Sequence, residues 1–154
     1  MPYQLVYSSS PAKKMLQSHL YIILRNARLK NKRANVTGLL VFTDGIFLQV
    51  LEGDENTVRT IFQKIQLDTR HQNITTLFEG HVADRAFPNW EMAYASPSAR
   101  DMANWSGLDN ATTIQAILSS MKSKPDLAPK IFAAVIKNIA ETKQEADDRQ
   151  QPVC

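Results

Sequence analysis

Two polar side chains in the N-terminal half interrupt rows of apolar residues that are typical of buried strands. In the segment GIFLQVLEG, Phe47, Gln49 and Leu51 share one face, because side chains alternate along a strand with a period of two. Tyr7 ends a similar row in the first predicted strand. A buried carboxamide without a hydrogen-bonding partner costs about 1–3 kcal/mol. We therefore expect Gln49 to be satisfied by Tyr7, by neighbouring backbone or by a ligand.

The last predicted strand and the end of the first helix carry further candidates. Trp90, Met92 and Tyr94 alternate along that strand, so three strands could present Tyr, Gln and Met or Trp together. On pattern alone, Asn31 is a C-terminal capping residue of the first helix. The three histidines lie apart from any cysteine or carboxylate cluster with metal-ligand spacing. No catalytic triad, P-loop or Gly-rich dinucleotide motif occurs, so the pattern favours hydrogen bonding over metal or nucleophilic chemistry.

A predicted strand, helix and hairpin position these residues. Alternation over residues 3–8 predicts the strand, while Ser10 and Pro11 predict an N-cap followed by proline at the first helical position. Two apolar runs flank Asp44 and Gly45, a dipeptide that supplies the positive φ of a tight hairpin. The helix presents an apolar stripe at i, i+3, i+4 and i+7, which consists of Leu20, Ile23, Leu24 and Ala27.

The elements that follow complete an α+β pattern. Asp54 is expected to cap a second helix that ends near Leu67, and strands are predicted over residues 74–82 and 90–95. The order strand, helix, strand, strand, helix, strand, strand matches the split βαβ arrangement with one extra strand. We therefore predict an α+β fold, a ferredoxin-like βαββαββ sandwich with two additional C-terminal helices.

The C-terminal third differs in composition from the rest of the chain. Beyond Pro97 the chain is rich in Ser, Ala, Asn and Asp, and one apolar stripe predicts a helix there, formed by Ile114, Ile117, Leu118 and Met121. Asp126 is expected to cap a last helix. The broad apolar face over residues 127–140 requires cover by the sheet or by a partner. The expected divisions are a domain over 1–96, a helical extension over 97–143 that packs on the sheet or an oligomer interface, and a disordered tail over 144–154.

Charge and hydropathy exclude several classes of protein. The 154-residue chain has 18 Lys and Arg against 15 Asp and Glu, and this net charge of +3 is too small and dispersed to indicate a nucleic-acid surface. No apolar run approaches the roughly 20 residues that span a bilayer, and no signal peptide opens the sequence. The only cysteine is Cys154, which leaves no disulfide framework. We expect a cytoplasmic protein that binds neither nucleic acid nor membrane.

Five motifs occur together in this chain: LVYSS, NVTGLLVF, GIFLQVLEG, DTRHQNI and FPNWEMAY. They extend over about residues 3–95. Five residues fall at matching positions of the family pattern together, namely Tyr7, Asn31, Gln49, Trp90 and Met92. The combination resembles the BLUF domain, a sensor of blue light using FAD. The resemblance implies that residues 1–96 form a flavin-binding photosensor domain.

The resemblance also implies where the cofactor lies. The flavin would occupy the space between the two helices of the βαββαββ domain, sandwiched by Ile23 and Ile65 and approached by Phe47. Three residues match positions near the ribityl and phosphate end of FAD, namely Lys64, Asp68 and His71. Two more basic residues could reach the diphosphate, Arg28 and Lys30.

The photoactive residues implied by the resemblance are Tyr7, Gln49, Trp90 and Met92. Asn31 would hydrogen-bond the pyrimidine side of the flavin, and Gln49 would bridge Tyr7 to the flavin N5 and C4 carbonyl. Blue light would draw an electron and a proton from Tyr7, and recombination would leave Gln49 rotated or tautomerised with the flavin unreduced. The absorption would then shift to the red, and the last strand near Trp90 and Met92 would transmit the change. The resemblance leaves open whether Trp90 faces inward or outward.

The implied protein is a photosensory signalling protein without enzymatic activity. It would form a homo-oligomer through the C-terminal helices or the sheet and would act on a separate downstream signalling protein. Two alternatives are a light-insensitive ferredoxin-like interaction module and a flavin-binding enzyme. The absence of an acid, base or nucleophile near Tyr7 and Gln49 speaks against the enzyme. The joint presence of Tyr7, Asn31 and Gln49 speaks against a module without cofactor.

Overall fold

Five strands and five helices make up the described part of the chain. The structure is a computed structural model, and it describes residues 1–107, 113–124 and 127–150. In chain order the elements are β1 (Tyr3–Pro11), α1 (Gln17–Ala34), β2 (Thr37–Thr43), β3 (Ile46–Gly53), α2 (Glu55–Leu67), β4 (His71–His81), β5 (Ala93–Ala95), α3 (Ala99–Ser106), α4 (Ile114–Ser123) and α5 (Leu127–Gln150).

The strands form one sheet in the order β4-β1-β3-β2-β5. β1 pairs antiparallel with both β3 and β4, and β2 pairs antiparallel with β3. β5 runs parallel to β2 at the edge of the sheet. This order arises when the units β1-α1-β2 and β3-α2-β4 interleave. The predicted α+β, ferredoxin-like fold with one extra strand is therefore confirmed.

Two local predictions around β3 are also confirmed. Asp44 and Gly45 have φ angles of 50° and 73°, the positive values that a type I′ hairpin turn requires. The Asp54 carboxylate accepts a hydrogen bond of 3.2 Å from the Thr57 amide and so caps α2. The turn and the cap together determine where β3 begins and ends, and thereby which of its residues face each side of the sheet.

One face of the sheet packs against α1 and α2. Side chains alternate along a strand, so every second residue of β1 and β3 points to this layer. The predicted apolar stripe of α1 supplies two buried leucines, and α2 supplies two residues at helical spacing. The buried members of this cluster include Tyr3, Leu5, Tyr7, Leu20, Leu24, Phe47, Leu51, Val58 and Phe62.

The opposite face packs against the C-terminal helices. Val6, Leu48 and Val50 are at most 1% exposed on this side. They belong to one cluster with residues of α3, α4 and α5, among them Met102, Ile117, Ile131, Phe132 and Val135. The same chain therefore covers the apolar face of α5 as far as Val135, through α3, α4 and the sheet. The side chains of Ile139 and Ala140 lie outside the description.

The first strand is longer than predicted, and the first helix begins later. Ser10 and Pro11 continue β1, where they pair with Gln72 and His71 of β4. Proline is tolerated at a strand end because its missing N–H interrupts few ladder bonds. α1 begins only at Gln17. The predicted N-cap at Ser10 is therefore wrong.

The last strand is shorter than predicted. β5 contains three residues, so Trp90 and Met92 precede it in an irregular segment. The carbonyls of residues 90–92 accept hydrogen bonds from one backbone amide of β2 and from two side chains of α1. These partners replace a regular ladder. The prediction of a strand over 90–95 is wrong for its first half.

The C-terminal region differs in two further respects. α3 was not predicted, although the Ser98 hydroxyl caps it by accepting from the Asp101 amide at 3.0 Å, and Gly107 ends it with φ of 72°. α5 continues to Gln150, where a disordered tail over 144–154 was expected. The segment is rich in Glu, Lys, Gln and Ala, which favour helix. The predicted cap at Asp126 and residues 151–154 lie outside the described residues.

Gly38 in β2 offers a sharp test of the sheet register. A Cβ atom at this position would lie 1.9 Å from the Val50 carbonyl oxygen of β3. Overpacking usually costs about 1–3 kcal/mol. We expect Gly38→Ala to lower the free energy of unfolding by an amount at or above the upper end of this range, as measured by denaturant unfolding. Gly80→Ala is the matched control, because its nearest neighbour would be the Phe78 side chain at 3.5 Å. Equal losses in both variants would contradict the register.

Candidate functional site

A cavity of about 460 Å³ opens between α1, α2 and the face of the sheet that these helices cover. This volume lies within the range of about 300–1,000 Å³ that is usual for small-molecule sites. Its walls come from residues between positions 7 and 71, so that four strands and two helices contribute. All eight residues that the resemblance implies for the cofactor line it: Ile23, Asn31, Phe47, Gln49, Lys64, Ile65, Asp68 and His71.

Tyr7, Gln49 and Met92 form a continuous chain of contacts beside this cavity. Tyr7 and Gln49 lie directly opposite each other in the β1–β3 pairing, and both line the cavity. The Tyr7 hydroxyl donates to Gln49 Oε1, and Gln49 Nε2 donates to Met92 Sδ at 3.7 Å. All three residues are buried. The sequence left several partners open for Gln49, and in this structure the tyrosine and a thioether satisfy it.

Burial controls the protonation of Tyr7. Removal of the phenol from water is the main cause that raises the pKa of Tyr7 well above its usual range, and the negative charge of Asp68 adds to the effect. The ring also packs against Phe62, with a centroid distance of 5.1 Å. Tyr7 is therefore held in a fixed position as a neutral hydrogen-bond donor.

Asn31 lies at the cavity wall and does not cap its helix. Its Nδ2 atom donates to the Glu91 carbonyl at 2.7 Å, and the side chain is buried. The residue that ends α1 is Asn35, which has a left-handed φ of 56°. The capping role expected from pattern alone is therefore wrong. Arg28, which was expected as one candidate for the diphosphate, donates from Nε to the Met92 carbonyl at 2.9 Å instead.

Trp90 and Met92 take different positions. Met92 belongs to the cluster on the cavity side of the sheet. Trp90 is only partly buried and packs against the cluster on the opposite side. Neither residue lines the cavity itself. In this structure, Met92 therefore occupies the place next to Gln49.

Polar side chains surround one end of the cavity. Lys64 is exposed and lines this end from α2, while the exposed Lys30 lines the cavity from α1. Arg70 forms an ion pair of 2.6 Å with Asp68, and its hydrogen bonds lower the pKa of Asp68 to about 2. His71 Nε2 donates to the Ile65 carbonyl at 2.6 Å, which holds the imidazole in place. This end of the cavity carries two cationic side chains, Lys64 and Arg70, and the carboxylate of Asp68.

The residues present fit a flavin dinucleotide. Ile23 and Ile65 supply apolar walls from the two helices, and Phe47 supplies one from the sheet. The carboxamides of Asn31 and Gln49 supply the donors and acceptors that a flavin ring edge requires. The cations at the polar end suit phosphate groups. Within the described ranges, no group of three His, Cys, Asp or Glu side chains could hold a metal ion, and no helix is long and apolar enough to cross a membrane.

Sequence reasoning missed several lining residues. Ser9 continues the alternation that ends at Tyr7 in the predicted strand, so a longer strand would have included it. Asn26 lies three residues after Ile23 on the same side of α1. Arg70 gives no pattern of its own, because its place depends on the turn between α2 and β4.

Comparison with known proteins identifies the family. Residues 3–93 match BLUF, described as sensors of blue-light using FAD. The alpha subunit of photoactivated adenylate cyclase from Euglena gracilis is 31% identical over 134 residues, which cover 86% of this chain and 12% of that protein. The beta subunit from Euglena longa is 31% identical over 93 residues, which cover 60% of this chain and 11% of that protein. The chain thus spans about a tenth of the length of these curated relatives.

Solved structures agree with this match. The ground state of BlsA is 28% identical with a TM-score of 0.66, and the alignment covers 79% of this chain and 88% of that one. The dark-state structure of BlrB, a BLUF protein, has a TM-score of 0.70 over 89% of this chain and 96% of that one; at 22% identity it supports the fold. This chain therefore belongs to the BLUF family of blue-light sensors, whose cofactor is FAD.

Proposed function

We propose that this chain is a photosensor in which Tyr7 is the electron and proton donor and Gln49 is the group that rearranges. The observation that carries the proposal is the contact chain from the Tyr7 hydroxyl through the Gln49 carboxamide to the Met92 sulfur. It runs along the wall of a cavity that fits FAD. Light absorbed by a flavin in the cavity would first lead to loss of an electron from Tyr7 and would then affect its hydrogen-bonded neighbour, Gln49.

The proposed binding residues divide by their chemistry. Ile23, Ile65 and Phe47 would hold the ring by apolar contact. Asn31 and Gln49 would recognise its polar edge through their carboxamides. The phosphate end would be bound by the polar cluster of Lys64, Asp68 and His71, with Lys30 and Arg70 beside it.

The side chains of this protein account for the proton and electron balance. When bound, FAD absorbs the light and accepts an electron. Tyr7 gives up that electron, and its hydroxyl proton leaves along the hydrogen bond to Gln49 Oε1. Both return to Tyr7 on recombination, so no substrate is consumed and no net oxidation occurs. What remains is a change in the hydrogen bonds of Gln49.

Rotation of the Gln49 carboxamide would change its contact with Met92. In the present arrangement Nε2 donates to the thioether. A rotated carboxamide would place Oε1 against Met92, and a thioether has no proton to donate to it. The contact would then be lost, and Met92 would be free to move relative to β3. Met92 immediately precedes β5, so this strand would carry the change to the C-terminal helices.

The signal is then proposed to reach a separate protein or a second copy of the chain. The apolar row of α5 up to Val135 is already covered by α3, α4 and the sheet of its own chain. Transmission by binding therefore requires that the light reaction changes how this layer packs. A shift of about 1–3 kcal/mol in that packing would alter the affinity for a partner about 5- to 150-fold. The cyclase named in the Euglena relatives belongs to those longer proteins.

The photochemical role of Tyr7 can be tested by absorption spectroscopy. The purified wild-type protein should show flavin bands that shift to the red under blue light and recover in the dark. Tyr7→Phe should retain the flavin, because it removes a hydroxyl and little volume, but it should lose the red shift. Tyr21→Phe is the matched control, since this tyrosine is 68% exposed on α1 and does not line the cavity. A normal photocycle in Tyr7→Phe would contradict the assignment.

Burial of the Tyr7 phenol also predicts a dependence of stability on alkaline pH. An unfolded chain releases the tyrosine proton near pH 10, whereas the raised pKa in the folded state retains it. The contribution of Tyr7 to the free energy of unfolding should therefore be constant below about pH 10 and fall above it, by up to about 1.4 kcal/mol per pH unit. Denaturant unfolding at several alkaline pH values should show a steeper fall for wild type than for Tyr7→Phe. Tyr3, whose pKa burial raises to about 12, is present in both proteins. Parallel curves would refute the prediction.

A further inference from the structure

Glu52 is a buried carboxylate that the proposed light reaction does not use. It lies on β3 three residues after Gln49, and it is fully buried. Its Oε2 atom accepts from Gln4 Nε2 at 3.1 Å and from the Ala86 amide at 2.7 Å. Its Oε1 atom accepts from the Phe87 amide at 2.8 Å. Both oxygens are therefore occupied by donors, and two of these belong to the irregular connection between β4 and β5.

Residues 86–92 of this connection are held in place by hydrogen bonds to β3, β2 and α1. Glu52 binds its first two amides. The carbonyls at its other end accept from the Gly38 amide at 3.0 Å, from Asn31 at 2.7 Å and from Arg28 at 2.9 Å. Hydrogen bonds to a charged acceptor are among the stronger ones in proteins. Glu52 is thus the anchor for the end of the segment opposite Met92.

We propose that Glu52 is a positioning residue of the light-sensing centre. By fixing residues 86–92, it keeps the Met92 sulfur against the Gln49 amide and so sets how long the lit state lasts. This inference rests on the proposed function, because the lit state is the one in which Gln49 has rearranged. Glu52 touches neither the cavity nor Tyr7, so its effect passes through the backbone of the segment.

The geometry predicts how the lifetime of the lit state should change when the anchor is weakened, and it indicates which substitution of Glu52 tests this. A segment released from its anchor loses part of its preference for the dark-state position, and the displaced position then becomes relatively more favourable. The lit state should therefore decay more slowly. Glutamine in place of Glu52 has the same shape but only one acceptor oxygen, so an NH₂ group would face a backbone N–H. The substitution thus removes one anchoring bond without creating a cavity.

The test compares Glu52→Gln with Glu79→Gln in the full-length, FAD-loaded protein. Glu79 is an exposed glutamate on β4 that accepts a hydrogen bond from Tyr3, which makes it a matched control. We expect Glu52→Gln to retain flavin and the red-shifted state. Its dark recovery should be slower by at least about fivefold, the lower end of typical coupling between sites. Amide hydrogen exchange over 86–92 in the dark should be faster than in wild type, and Glu79→Gln should match wild type in both measurements.

Unchanged or faster recovery in Glu52→Gln would overturn the proposal, as would slow recovery without faster exchange in the segment. Should the variant fail to fold, hydrogen exchange in the wild-type protein provides the test, because the proposed anchor requires the Ala86 and Phe87 amides to be protected. Rapid exchange of both amides in the dark would refute the anchor. If the wild-type protein showed no red-shifted state, the proposed function would be contradicted, whereas the exchange measurement would still test whether Glu52 anchors the segment.

Discussion

The antiparallel pairing of β1 with β3 is the constraint on which the site depends. It sets Tyr7 opposite Gln49 inside an apolar layer, where both side chains are largely buried. Each polar group then needs a hydrogen-bonding partner from the other, from a third segment or from a ligand in the cavity. The carboxamide oxygen accepts from the tyrosine, and its Nε2 group donates to the Met92 sulfur. A one-residue slip of this pairing would send one of the two side chains to the other face and dissolve the centre.

The two faces of the sheet have different roles in the domain. The face under α1 and α2 holds the cavity, and the face under α3 to α5 is a conventional apolar core. The segment 86–92 reaches both, because Phe87 packs against Phe132 of α5 at a centroid distance of 6.0 Å while Met92 lies with the cavity-side cluster. The chain thus has a short covalent path from one layer to the other around the sheet edge.

Local chemistry made much of this fold predictable. The Asp44 and Gly45 turn and the Asp54 cap depend on neighbours in sequence, and period-two alternation put Tyr7 and Gln49 on inward faces. The sequence could not reveal features that depend on distant partners. The length of β1 depends on β4, and the shortness of β5 depends on side chains of α1 that bind the carbonyls of the two residues before it. Asn31 illustrates the difference, since its position favoured a cap while its carboxamide binds a carbonyl sixty residues away. The resemblance to the family supplied the cofactor, which periodicity alone left open.

The cavity walls come from elements that are far apart in the chain, from β1 to the start of β4. No shorter piece can bind the ring, so FAD has affinity for the folded domain and little for the unfolded chain. Binding therefore draws on the folding equilibrium: each tenfold excess of free FAD over its dissociation constant adds about 1.4 kcal/mol to the stability of the folded state. A fall in free FAD would therefore raise the unfolded fraction, which is the form that proteases cleave. The concentration of the cofactor would thereby affect the stability of the sensor as well as its colour.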